Sequence, residues 1–289
     1  MTFDFDLNKT YTRPEEFWLI EDLYAESYKE HVQFGLVEAR RQKLAIVSIA
    51  RNSMPWLTNT LRLVDELAGL WRDCCYYIYE NDSNDGTAEA LDDFAIRQWV
   101  TVEHDSLGGL DARGFETERT ERLAHCRSRC QQWVRKYAAD AGYVMVLDTD
   151  PHGGFSVNGV LNSLGRFCAM LGDSWQRREP GAMASHSLFI QKEAEGFSVA
   201  AYDAWAAKLN DWEDRREHAW FHLLMPPVGS PPIPMYSAFG GLCLYRREAY
   251  LAGQYDGSTC EHVPFHRAMR NSGYQLFLNP GSRYVAMLP

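Results

Sequence analysis

The stretch Leu44-Ala45-Ile46-Val47-Ser48-Ile49 decides how this chain folds. It carries no charge and is too continuous for a strand with one wet face, so it predicts a strand buried on both faces, as in a parallel sheet. Working outward, a helical pattern from about Pro55 to Leu70, a strand at Tyr76 to Tyr79, a helix from Thr87 to Gln98 and a short strand at Trp99 to Glu103 complete a βαβαβ alternation. Beyond a glycine-rich loop at Gly108 to Gly114, a helix from about Thr120 to Ala139 leads to a second buried strand, Tyr143-Val144-Met145-Val146-Leu147. Toward the N-terminus, residues 12 to 42 predict a helical extension. There Thr12 and Glu15 form a capping box around Pro14, and Phe17, Ile20, Tyr24, Tyr28 and Val32 recur at helical spacing. The second half predicts helices near Asn158 to Leu171 and Ala201 to Leu209, a strand near Ala182 to Ile190 and a proline-rich stretch from Pro226 to Pro234. No repeat or linker interrupts the chain, so the expectation is an N-terminal helical extension over residues 1–42 and one α/β domain over 43–289.

Composition agrees with one substantial core. The 289 residues are 46% hydrophobic, 13% aromatic and 24% charged, a globular balance. Acids (39) outnumber Lys and Arg (29), for a net charge of −10, which repels phosphate backbones and anionic lipid and excludes a dedicated nucleic-acid or membrane-surface protein. Any anionic ligand must therefore be met by local cations. The seven cysteines contain no C-x-x-C pair and predict buried thiols in a reducing compartment. Asp4 and Asp6 stand where a secretion signal needs positive charge, and no run reaches 18 apolar residues. The expectation is a soluble, cytoplasmic protein with no transmembrane segment.

In a parallel sheet, ligands bind outside the carboxyl ends of the strands, so the residues after each apolar run are the candidates. The first strand exits into Arg51-Asn52-Ser53, the second into Glu80-Asn81-Asp82-Ser83-Asn84-Asp85-Gly86, and the later one into Asp148-Thr149-Asp150. No G-x-G-x-x-G follows the first strand, which argues against a nicotinamide enzyme, and no phosphoryl-transfer loop of the G-x-x-x-x-G-K-[ST] kind occurs. Residues 79 to 94 hold six acids and no Lys or Arg, so they cannot all be ligands. One reading makes Asp85 a helix cap beside solvated acids; the other puts Asn81, Asp82 and Asp85, with Arg51 and Asn52, around a nucleotide base and ribose. Asp148 and Asp150, two apart after a buried strand, suit Mn²⁺ or Mg²⁺, which takes one or two protein carboxylates and completes its shell with diphosphate and water oxygens. The preceding helix is locally basic, with six cations against two acids over residues 118 to 136. From it Arg122 or Arg127 could fork onto a diphosphate.

Four motifs in order resemble those of GT-A-fold glycosyltransferases: Y-E-N-D-S-N-D-G-T at 79–87, L-D-T-D at 147–150, F-G-G-L-C-L-Y-R-R-E-A-Y-L-A-G-Q-Y-D at 239–256, and C-E-H-V-P-F-H-R-A-M at 260–269 followed by Gly273-Tyr274. The resemblance spans about residues 43 to 280. It implies a GT-A (Rossmann-like) fold and a nucleotide-sugar donor, with a metal at Asp148 and Asp150. It also implies an acceptor-facing loop at Gly240-Gly241 and a carboxylate at the start of a C-terminal helix. The activity implied is metal-dependent transfer of a sugar to an oligosaccharide or glycan hydroxyl, as in polysaccharide biosynthesis. The Y-E-N-D-S wording and Y-D-A-W-A at 202–206 are similar to the fungal capsule-associated α-1,3-mannosyltransferases and related viral and bacterial sequences, which favours GDP-mannose over a UDP-sugar. The large inverting families begin their last helix Glu-Asp, with the Asp as base. Here it begins Glu261-His262, so both residues are catalytic candidates, with His262 as base or metal ligand. Two alternatives have their own residues. His218 and His222, and likewise His262 and His266, share the i, i+4 spacing of a zinc pair, although no H-E-x-x-H occurs. Trp175, Trp205, Trp212 and Trp220 would suit a non-catalytic carbohydrate-binding protein.

Overall fold

The computed structural model describes residues 3–109, 116–170, 178–210 and 219–289. Within them one sheet contains β1 (Lys43–Ala50), β2 (Asp73–Asn81), β3 (Val100–Asp105), β4 (Tyr143–Leu147), β5 (Glu179–Lys192), β6 (Phe197–Ala201), β7 (Ile233–Met235), β8 (Leu242–Arg246) and β9 (Tyr274–Met287). Their order is β3-β2-β1-β4-β8-β5-β9-β7, with β6 paired to β5. The first four form a parallel half. Strand β8 then enters antiparallel between β4 and β5, and β9 runs parallel to β5 and antiparallel to β7. The helices are α1 (Ala25–Ala39), α2 (Trp56–Ala68), α3 (Thr87–Phe94), α4 (Thr117–Tyr137), α5 (Val157–Met170), α6 (Ala219–His222), α7 (Arg247–Ala252) and α8 (His262–Asn271).

The continuous apolar runs have the predicted cause. Along β1, Ala45 and Val47 join the core on one face of the sheet, while Leu44 and Ile46 join the core on the other; Val144 and Val146 of β4 divide likewise from Tyr143, Met145 and Leu147. Cys130 and Val134 of α4 belong to the first core, and Leu57, Leu61, Val64 and Leu67 of α2 to the second. Each fully buried Val, Leu or Ile contributes about 1.5–3 kcal/mol relative to an exposed one, so the two cores fix β1 and β4 in place. Their carboxyl ends, at Ala50 and Leu147, consequently form a rigid rim.

Two expectations are corrected. Thr12 hydrogen-bonds Glu16 Oε1 (2.7 Å) rather than Glu15, and the helix starts only at Ala25, without a side-chain cap. Glu15 instead turns inward to accept from Ser156 Oγ and from Arg283 Nη2 (3.1 Å), because the buried Arg283 guanidinium needs a carboxylate partner. The helix expected at Ala201 to Leu209 does not form. Ala201 closes β6, Asp203 adopts a left-handed φ of 70° and Lys208 bridges Ser237. Part of the glycine-rich loop, residues 110–114, and Leu171 lie outside the described residues.

Candidate functional site

The loops leaving β1, β2 and β4 are laced together before any ligand is considered. Asn52 donates its N–H to Ser83 Oγ (3.1 Å), and its Oδ1 accepts from Asn84 N–H (2.9 Å). Ser53 donates its N–H to Thr87 Oγ1 (2.8 Å), and its hydroxyl lies 2.7 Å from that of Thr149. The loops enclose a cleft of about 370 Å³ over the carboxyl ends of the parallel strands, where a doubly wound sheet places its ligands. Among the described residues its wall includes four arginines (Arg51, Arg119, Arg122, Arg127) and four acids (Asp148, Asp150, Asp203, Glu261).

Asp148 and Asp150 follow β4 as expected and both face this cleft. Desolvation by the surrounding protein, then the charge of Asp148, pushes the Asp150 carboxyl up to about 6. Arg127, expected to meet a diphosphate, is spent differently. It is 3% exposed, and its Nη2 donates to Asp148 Oδ1 at 2.5 Å while its Nε lies 3.7 Å from Glu261 Oε1. Despite its burial, these two carboxylates hold its pKa above the ordinary arginine value. Glu261 and His262 begin α8 and are both buried. His262 stacks on Phe239 (centroids 3.8 Å apart, planes 18° apart), and neither ring nitrogen has a hydrogen-bond partner. Burial, then Arg127, then His266 hold its pKa well below the usual histidine range, so the ring is neutral.

The Gly240-Gly241 loop does not offer open backbone to a ligand. Both residues have left-handed φ values (67° and 81°), but a Cβ on Gly240 would meet Ser185 and Ser187, and one on Gly241 would meet the Tyr284 ring. Their glycines are required by this close packing. Gly241 C=O accepts from Asp148 N–H (2.7 Å), and Gly240 N–H donates to Asp203 Oδ2 (3.0 Å), so the loop positions two cleft carboxylates. Asp203 also accepts from Ala206 N–H through Oδ1 (3.4 Å). Burial, and then the nearby charges of Glu261 and Asp148, push it up to about 7 against the pull of its backbone donors. Sequence reasoning did not single it out as a site residue.

Of the candidates after β1 and β2, Arg51, Asn52 and Asn81 line the cleft, as does Arg122 of α4. Burial and the neighbouring Arg51 lower the pKa of Arg122, the signature of two cations sharing one wall. Asp82 and Asp85 are not part of that wall. Asp82 accepts from Ser106 Oγ (2.8 Å), Leu107 N–H (2.9 Å) and Asn81 Nδ2 (3.2 Å), bonds that outweigh desolvation and hold it down at about 2. Asp85 accepts from Met54 N–H (2.9 Å) and Thr87 N–H (3.0 Å), so it caps the entry to α3 although Gly86 is the capping position. Both carboxylates fasten loops.

The donor set suits one kind of metal. Among the described residues no group of three His, Cys, Asp or Glu side chains converges to hold an ion, so a closed zinc site is not built. His266 engages Ser237 (3.0 Å) and Tyr245 (2.9 Å) through its two ring nitrogens, and His222 contacts Ala201 C=O (3.0 Å). His266 is thereby closed to zinc, and His218 lies outside the described residues. Asp148 and Asp150 alone fit a hard cation that draws its other ligands from phosphate and water. Of the four tryptophans considered for sugar stacking, Trp205 lines the cleft, while Trp175 and Trp212 lie outside the described residues.

No protein-family profile matches the chain, and no curated protein does. Solved structures do. GalNAc-T7 with UDP, GalNAc and Mn²⁺ superposes with a TM-score of 0.51 at 18% identity, over 86% of this chain and 44% of that one. The mannosyltransferase PcManGT from Pyrobaculum calidifontis, in complex with GDP-Man and Mn²⁺, superposes with a TM-score of 0.50 at 13% identity, over 92% of this chain and 67% of that one. The chain thus spans less than half the length of GalNAc-T7. These likenesses show the fold, that of the GT-A glycosyltransferases.

Proposed function

We propose that the chain is a glycosyltransferase that moves a sugar from a nucleotide-diphosphate donor to a glycan hydroxyl, using Mn²⁺ or Mg²⁺. One observation carries this reading. Asp148 and Asp150 share a single cleft with Arg51, Arg119 and Arg122 at the carboxyl ends of the parallel strands, an arrangement of opposite charges suited to a metal–diphosphate pair. Asp148 and Asp150 would hold the cation, which when bound supplies Lewis-acid stabilisation of the leaving diphosphate. Arg51 and Arg122 offset the remaining phosphate charge, and Asn52 and Asn81 stand at the rim where the base and ribose would lie. Asp82 and Asp85 act one step back, by shaping the loops that present them. Buried Arg127 links Asp148 to Glu261 and sets their mutual spacing. In this reading Glu261 supports the arginine, and His262, stacked on Phe239, serves as a flat floor. GDP-mannose is the first donor to test, on the Y-E-N-D-S and Y-D-A-W-A likeness, with UDP-sugars beside it.

The test is isothermal titration of GDP and UDP with and without Mn²⁺. Asp150→Asn removes one anionic ligand and is expected to weaken Mn²⁺-dependent binding at least about 10-fold, the low end of the loss seen when metal-site partners are removed. Far-UV circular dichroism should remain unchanged. Equal metal-dependent affinity in the variant and the wild type sinks the assignment of the metal site.

A further inference from the structure

One segment of the cleft wall, Tyr202 to Trp205, has no part in the donor and metal assignments above. Tyr202, Asp203 and Trp205 all line the cleft. Tyr202 is 37% exposed, and Asp203 and Trp205 are partly open. We infer that these three residues form the acceptor subsite, in which the two aromatic rings take the face of a sugar and the Asp203 carboxylate receives the proton of its reacting hydroxyl. The inference rests on the glycosyltransferase reading and adds to it the residue that meets the acceptor.

Three features support it. Asp203 is a non-glycine residue in the left-handed region (φ 70°), a conformation that costs on the order of 1–3 kcal/mol and tends to persist at functional sites. Its two oxygens are aimed by Gly240 N–H and Ala206 N–H, donors 37 and 3 residues away in sequence, so the side chain is set in position before any ligand arrives. A carboxylate offers about four lone-pair sites, and two backbone donors leave capacity for a hydroxyl. Glu261, by contrast, is 4% exposed and faces Arg127. The environment that pushes Asp203 up to about 7 also suits a base working near neutral pH. In the step itself the acceptor O–H bond breaks and its proton passes to an Asp203 oxygen. The acceptor oxygen bonds the anomeric carbon, and the bond from that carbon to the diphosphate oxygen breaks, its electron pair leaving with the diphosphate.

The experiment compares wild type, Asp203→Asn, Trp205→Ala and Tyr202→Ala in two assays. One is calorimetric binding of GDP and UDP with Mn²⁺; the other is transfer from GDP-mannose or UDP-glucose to a panel of p-nitrophenyl monosaccharides. Asp203→Asn should keep wild-type nucleotide affinity while kcat for transfer falls about 10²–10⁴-fold. Trp205→Ala and Tyr202→Ala should raise the acceptor KM about 2- to 12-fold, the range of an aromatic contact, with nucleotide affinity unchanged. Near-normal transfer by Asp203→Asn overturns the proposal. So does a parallel loss of nucleotide binding, which would mark Asp203 as a prop for the Gly240-Gly241 loop. If Asp203→Asn does not fold, unchanged acceptor KM in both aromatic variants overturns it instead. A wild type that binds neither nucleotide in the presence of Mn²⁺ removes the glycosyltransferase reading, and this inference with it.

Discussion

His104 sits where β3, β2 and α3 meet, with Nδ1 2.7 Å from Glu80 Oε2 and Nε2 3.0 Å from Asp92 Oδ1. Glu80 accepts Ser83 N–H through its other oxygen (2.9 Å), so the ring helps to fix the end of β2, where Asn81 lies, and the loop after it. Its hydrogen bond to Glu80, then desolvation acting in the opposite sense, then Asp92, leave the histidine pKa above its ordinary 6.5. A raised pKa means that the stabilisation is fully present below the unfolded value of about 6.5 and is lost as pH rises through the higher folded value. Because the ring is 39% exposed, the gain is small, under about 1 kcal/mol. An NMR titration should show the His104 midpoint above 6.5, and His104→Gln should flatten the fall in stability above that pH; a midpoint at or below 6.5 refutes the bridge. This network is read across three elements and was invisible along the chain, as was Asp203, whose key donor lies 37 residues away at Gly240. Asp148 and Asp150 were legible because the evidence for them is local: two acids directly after a five-residue run buried on both faces.

Among the elements, α1 packs against α5 with their backbones in close approach. Gly35 and Gly165 let the two backbones touch, since a Cβ on Gly35 would collide with the carbonyl oxygen of Leu161 and one on Gly165 with that of His31. Neither obstacle is a flexible side chain, so the helices must separate to admit even a methyl group. Gly35→Ala and Gly165→Ala should each destabilise by about 1–3 kcal/mol or more, which in a protein of this size lowers the melting temperature by roughly 2–4 °C for each kcal/mol. An unshifted melting curve for either would show that the helices are not in backbone contact. Helical spacing announced an N-terminal helix but not its partner, because a glycine reads as a helix weakener until the facing glycine is known. Strands divided in the same way. β1 and β4 were legible from continuous burial. β9 was not, because it carries Asn279, Ser282 and Arg283 through the interior and shifts register against β5. Asn279 and Arg283 find partners on distant elements, as when Asn279 donates to Asn162 Oδ1 (3.1 Å) and Arg283 to Glu15 Oε1 (3.1 Å), and no local alternation records that.

At the scale of the whole molecule the charge is arranged against itself. The chain carries −10 overall, yet in this cleft four arginines stand beside four acids, so the formal charge of its wall is balanced where the molecule as a whole is acidic. Burial and the neighbouring Arg51 already lower the pKa of Arg122, and a dianionic diphosphate would relieve that crowding while a cation screens Asp148 and Asp150. Metal and nucleotide should therefore bind better together than either does alone. A ligand that binds only the folded state at 100 times its Kd adds about 2.7 kcal/mol. At roughly 2–4 °C per kcal/mol this is about 5–11 °C in melting temperature. GDP or UDP with Mn²⁺ should reach that range. The nucleotide with chelator, Mn²⁺ alone, and GMP or UMP with Mn²⁺ should each give less, since each lacks one half of the charge exchange. A shift of the same size for the monophosphates would mean that the base pocket, and not the paired diphosphate and metal, dominates binding, and the role given to the arginines would fall.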